Sequence, residues 1–130
     1  MKKTTYFLAI CCLLLLSCDQ EDDRVLPCAE CPTTYTGKLL LKGVCMNYVI
    51  EVTDGPIDPD LIAQSWVHEW SNVGYQNVFA LGSICDFPAY IEEGQTFQFS
   101  IVAEDLTQDC AVCEAYSPTP DKSLFIKVIE

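Results

Sequence analysis

The chain has 130 residues, half of them hydrophobic, and 19 acidic side chains against 7 basic ones, for a formal net charge of −12 at pH 7. That length builds one small core and not two. The charge repels phosphate backbones and anionic lipid headgroups, and no cluster of Lys or Arg offsets it, which argues against nucleic acid as a partner.

At the start, Lys2 and Lys3 precede an apolar run over residues 6–16 that is too short for a stable membrane span. A charged stretch, a short apolar stretch and then a cleavage site make up a secretion signal. Leu15-Leu16-Ser17-Cys18, with a leucine three positions ahead of a cysteine and a small residue directly ahead, resembles the lipobox of bacterial lipoproteins. The resemblance implies that residues 1–17 are removed and that Cys18 becomes the acylated first residue. Acyl chains anchor at about 0.8 kcal/mol per buried methylene, so two or more hold a domain stably on a bilayer. The acidic run over residues 19–23 resembles the export tag of outer-membrane lipoproteins from Bacteroidota, which implies a cell-surface location. A plain solvated tether facing the periplasm is the alternative. Without Lys2 and Lys3, 5 basic side chains remain against 19 acidic ones, a charge of −14.

Of nine cysteines, Cys11 and Cys12 leave with the signal and Cys18 is acylated. Cys28, Cys31, Cys45, Cys85, Cys110 and Cys113 remain, an even number in an oxidising compartment, and three disulfides are expected. Residues 18–35 hold acids, two prolines and the first Cys-x-x-Cys pair with no apolar period, and read as a tether to a single β domain over residues 36–130.

Residues 37–43 form an apolar run between glycines, and Tyr48, Ile50 and Val52 then alternate with polar neighbours, which predicts two strands joined by a turn near residues 43–45. Asp58-Pro59-Asp60 offers a cap, a proline at the first helical position and an acid in the first turn. With Leu61 or Ile62, Trp66 and Trp70 at helical spacing, a short helix is predicted. Residues 75–82 are a third strand, ended by Cys85-Asp86-Phe87-Pro88. Phe97, Phe99, Ile101 and Ala103 alternate cleanly as a fourth. Residues 104–121 form a long loop stapled by Cys110 and Cys113. Residues 123–130 are a fifth strand with Leu124, Ile126 and Val128 on one face.

Five short strands with one short helix give an all-β fold: a small five-stranded antiparallel barrel of the OB kind, or a sandwich, stapled by disulfides. In a meander of the first three strands, the start of the second and the end of the third share one end of the sheet. Cys45 is therefore expected to pair with Cys85. The two Cys-x-x-Cys pairs either close locally or cross, Cys28 or Cys31 with Cys110 or Cys113, and the longer loop that crossing closes favours crossing.

The two Cys-x-x-Cys pairs are too far apart for a zinc ribbon and lack the βαβ context of a redox motif. Asp54, Asp58 and Asp60 do not follow calcium-loop spacing. His68 is the single histidine, and nucleophile-elbow, metalloprotease and phosphate-loop motifs are absent. No catalytic residue, metal or cofactor is expected. Trp66, Trp70 and Tyr75 are the candidate ligand-binding residues, a ledge for a protein or glycan partner. The expected role is non-catalytic binding or envelope assembly. The alternative is a small exported hydrolase or thiol enzyme whose site the sequence does not display.

Overall fold

A computed structural model describes residues 32–104 and 109–129. The signal segment, Cys18, the acidic run and the pair Cys28 and Cys31 lie outside the described residues. Among the described residues seven strands form, β1 (Tyr35–Lys42), β2 (Tyr48–Asp54), β3 (Ala63–His68), β4 (Val73–Leu81), β5 (Thr96–Ile101), β6 (Ser123–Leu124) and β7 (Ile126–Ile129). Their order in the sheet is β3-β4-β2-β1-β5-β7. All neighbours on that path are antiparallel, and β6 makes a two-residue parallel bridge to β4. The path is open, with β3 and β7 at its ends: the expected antiparallel all-β fold is present, and the sheet is not closed into a barrel.

Alternating side chains divide the sheet into two faces. Leu39, Ile50, Phe79, Leu81, Phe99 and Ile126 lie on one and pack into a single apolar cluster with Phe87 and Ile91. Gly37 in β1 makes room for it, because a Cβ there would stand 2.9 Å from the Phe99 ring and 3.1 Å from Ile50. Val49 and Val78 are equally buried but fall outside that cluster, on the opposite face. The β2–β4 segment that carries them is roofed by residues 113–122, which run from the β1–β2 turn, where Asn47 donates to the Ala115 carbonyl, to β4, where Ala80 donates to the Lys122 carbonyl. Pro118 in that roof is fully buried.

The helix predicted after Asp58 is replaced by a strand. Asp58 does cap, its carboxylate accepting from the Asp60 amide at 3.0 Å, but the turn covers Pro59–Leu61 only. Residues 63–68 then extend against β4 in unbroken register, from Ala63 opposite Val78 to His68 opposite Val73. The predicted fifth strand is split at Phe125. The Ser83 hydroxyl donates to the Ile126 carbonyl at 2.7 Å and accepts from the Ile126 amide at 2.9 Å, taking over that backbone where β6 leaves β4.

The disulfides depart from the expected pairing. Cys45 bonds to Cys113 and Cys85 to Cys110, with Cα separations of 5.1 and 5.5 Å. The start of β2 and the end of β4 do share one end of the sheet, since Val49 stands opposite Ala80. Instead of bonding to each other, Cys45 and Cys85 each take one cysteine of the 110–113 pair. Neither Cys110 nor Cys113 therefore remains for the tether pair, and the expected crossing is excluded.

Candidate functional site

β2 meets β4 only at Val78, Phe79 and Ala80, whereas β3 runs along β4 from Val73 to Val78. Residues 73–77 consequently pair with β3 alone, and the β3–β4 hairpin leaves the sheet as a two-stranded ribbon. A ribbon of this kind is marginal in water by itself. Its own side chains and one neighbouring loop hold it.

Trp66 and Tyr75 face each other across the strands, ring centroids 5.8 Å apart and 25° from parallel. Cross-strand aromatic pairs of this type contribute about 0.2–1 kcal/mol over an alanine pair. At the tip, Asn72 adopts a left-handed conformation with φ of 55°, and its amide donates to the His68 carbonyl at 2.8 Å. The Ser71 amide donates to His68 Nδ1 at 3.2 Å, with the Ser71 hydroxyl 2.9 Å from the same nitrogen. Since Nδ1 accepts from a backbone N–H, the imidazole proton resides on Nε2. His68 is thus a turn lock rather than a point on a helix face. Among the hydrogen bonds of the described residues, none joins a carboxylate to Nε2.

The rings continue past the tip. Trp66 meets His68 edge-on at 5.5 Å, His68 meets Trp70 at 5.9 Å, and Trp70 meets Tyr116 at 6.1 Å. The result is a line of five rings, Tyr75, Trp66, His68, Trp70 and Tyr116. Trp70 is 64% exposed and Tyr116 65%. The three candidate residues Trp66, Trp70 and Tyr75 are therefore brought together, and His68 and Tyr116 join them. Nothing in the sequence signals Tyr116, which lies within the loop predicted over residues 104–121.

Tyr116 is placed by its staple. The turn at Val44–Met46 carries two consecutive left-handed residues, Cys45 and Met46, with φ of 56° and 60°. Such residues cost about 1–2 kcal/mol each without glycine. Several bonds fix the turn: the Cys113 disulfide, the Asn47 side chain donating to the Val44 carbonyl at 2.7 Å and to Ala115 at 3.1 Å, and the Ala115 amide donating to Cys45 Sγ at 3.2 Å. Gly43 admits the loop closely, a Cβ there standing 2.6 Å from the Ser117 hydroxyl. From this clamp the Tyr116 hydroxyl reaches Glu69 at the ribbon tip and donates to its carboxylate at 3.1 Å. That hydrogen bond, with lesser help from desolvation and the carboxylate's charge, raises the Tyr116 pKa above its ordinary value of 10.0.

On the ribbon face, Gln64 stands one step from Trp66 along β3, and Asn77, left-handed with φ of 53°, lies opposite it in the β3–β4 register. They line a cleft of about 360 Å³ with Thr53, Asp54, Ile57 and Ile62. Among the described residues, no three His, Cys, Asp or Glu side chains gather as metal ligands. Cys45, Cys85, Cys110 and Cys113 are bonded to one another and offer no thiol. No helix among them is long and apolar enough to cross a membrane. No family model, curated protein or solved structure matches the chain.

Proposed function

We propose that this protein is a lipid-anchored outer-membrane protein, exposed at the cell surface, whose β domain binds a ligand without transforming it. The carrying observation is the five-ring ledge on the β3–β4 ribbon, with Trp70 and Tyr116 each about two-thirds exposed. Buried aromatics stabilise a core, but these rings are held in place by hydrogen bonds, a disulfide and one another while Trp70 and Tyr116 stay exposed and Trp66, His68 and Tyr75 half-buried. Rigid, amphipathic rings of this kind are the side chains that anchor binding interfaces.

The anchoring half of the reading rests on Leu15-Leu16-Ser17-Cys18 and the acidic run behind it. Together the two halves describe a small reader on a leash: the acyl chains hold it to the membrane, the tether sets its reach, and the charge of −14 keeps it off anionic lipid. Within this reading the strands curl as a partly open barrel of the OB kind, β6 and β7 together leading from β4 round to β5.

The test is comparative capture. Immobilised wild-type protein and the variants Trp66→Ala and Trp70→Ala are exposed to material shed from the cell surface, and retained glycans and proteins are identified. Ligands held by the wild type and lost from both variants support the reading. Identical retention by all three proteins overturns it.

A further inference from the structure

The ledge does not end at Trp66 and Tyr75. One step along the same face, Gln64 and Asn77 present exposed amides to the cleft shared with Thr53 and Asp54. Its volume, about 360 Å³, falls at the small end of the roughly 300–1,000 Å³ typical of small-molecule sites. An aromatic stack thus leads directly into a recess edged by two amides, a hydroxyl and a carboxylate.

We propose that this cleft and the Trp66–Tyr75 stack beside it form a binding site for a neutral glycan, one sugar ring lying on the stack and its neighbour entering the recess. The proposal rests on the binding reading given above and names its ligand class. Three properties of the site select that class. An amide offers both donor and acceptor, and a carboxylate accepts twice, which matches vicinal hydroxyls that each donate and accept. The negative face of an aromatic ring attracts the weakly positive C–H face of a pyranose. Finally, no Lys or Arg lines the cleft while Asp54 does, so an acidic sugar meets repulsion there, reinforced by the charge of the whole domain.

An extended peptide is the other ligand that aromatic ribbons take. It would add to the outer edge of β3 through backbone hydrogen bonds. The edge and the cleft are different surfaces, since Gln64 and Asn77 project from the ribbon face, so a peptide on the edge leaves Gln64 idle. Gln64 therefore separates the two ligands.

The chain's only two tryptophans, Trp66 and Trp70, both sit on the ledge, so intrinsic fluorescence reports this site alone. The acylated full-length protein, held in a detergent without a sugar headgroup, is titrated with four neutral hexasaccharides (α- and β-linked glucose, xylose and mannose) and with hexagalacturonate. The expected result is saturable quenching by at least one neutral hexasaccharide and none by hexagalacturonate. Gln64→Ala, which leaves the aromatic rings untouched, should weaken the binding about tenfold, the loss of one good hydrogen bond. Trp66→Ala, followed by calorimetry, should remove it. Response to hexagalacturonate alone, no response to any saccharide, or unchanged affinity in Gln64→Ala overturns the glycan assignment. Extended peptides that bind the wild type and Gln64→Ala but not Trp66→Ala would overturn the glycan and leave the ledge a binding site. Loss of no ligand in any variant would overturn both.

Discussion

Replacing Cys45 and Cys113 together by serine tests the staple and the ledge at once. The bridge spans 68 residues of sequence, and the Cys85–Cys110 bridge nested inside it spans 25. With the inner bridge intact the outer loop is shortened to 68 less 25, or 43 residues, and its closure removes about 4 kcal/mol of unfolded-chain entropy. Cutting the inner bridge instead opens a 25-residue loop, worth about 3.5 kcal/mol. Against a typical domain stability of about 5–15 kcal/mol either loss is large. At a urea slope of about 2 kcal/mol per molar, the midpoint should fall by about 2 M. The two cuts are therefore close in stability and differ in what they release: only the first frees Ala115 and Tyr116 from the turn at Val44–Met46. Unfolding is followed by far-ultraviolet circular dichroism, because both tryptophans lie on the ribbon and report it alone. The near-ultraviolet signal of the Trp70 and Tyr116 pair should fade at zero urea in Cys45→Ser/Cys113→Ser and persist in Cys85→Ser/Cys110→Ser. A midpoint shift under 0.5 M in the first variant, or equal loss of the aromatic signal in both, would refute the reasoning. So would a non-reducing peptide map joining Cys45 to Cys85.

Tyr116 should ionise above 10.0 in the folded protein, because its proton is shared with the Glu69 carboxylate. Its contribution to stability is then complete below pH 10 and is lost as the pH rises through the higher folded value. The tyrosinate absorbance that Tyr116→Phe removes reports the titration, and Glu69→Gln should bring it back down; titration at or below 10.0 in the wild type would refute the hydrogen bond. Gly37→Ala should destabilise by about 1–3 kcal/mol, since its new methyl group meets the Phe99 ring in a filled core. A neutral thermal melt would show that β1 shifts freely there. Cys18→Ala should release the protein from membranes, and a variant that still fractionates with them and carries lipid would end the lipobox reading.

Strands β2 and β5 were legible because alternation over several residues has no helical counterpart: Ile50 cannot share a helix face with both Tyr48 and Val52, nor Phe97 with Phe99; β1 and β4 were legible as short apolar runs bounded by turn signals. β3 was not legible for a reason visible in its numbers. Ile62, Trp66 and Trp70 recur every four residues, and four is both close to a helical turn and a multiple of the strand period, so that spacing alone does not choose between them. The deciding signal lay in Trp66 and Val67, which favour strands, and in Ser71-Asn72, which supply the turn into β4. The split at Phe125 could not be read locally, since Ser83 creates it from across the fold. The cysteines failed differently. The end of the sheet holding Cys45 and Cys85 followed from the meander, but their partners depended on how the long loop carrying Cys110 and Cys113 returns to that end, which no period in the sequence encodes.

Why the ledge sits on the ribbon, and not on the main sheet, follows from where the stability lies. The apolar cluster around Phe79 and Phe99 and both described disulfides hold the β1, β2, β4 and β5 framework. Residues 64–77 contribute nothing to that cluster, whose nearest members on either side of the ribbon are Ile62 and Phe79. A surface substitution on such an element typically costs within about 0.5 kcal/mol of global stability. Gln64→Ala should therefore leave the urea midpoint of the domain within about 0.3 M of wild type, and Trp66→Ala, which also loses the pair with Tyr75, within about 0.5 M, while both change what the ledge holds. If instead Trp66→Ala lowers the midpoint as far as Gly37→Ala does, the ribbon is part of the folding core, and the open rings are then explained by stability without any ligand.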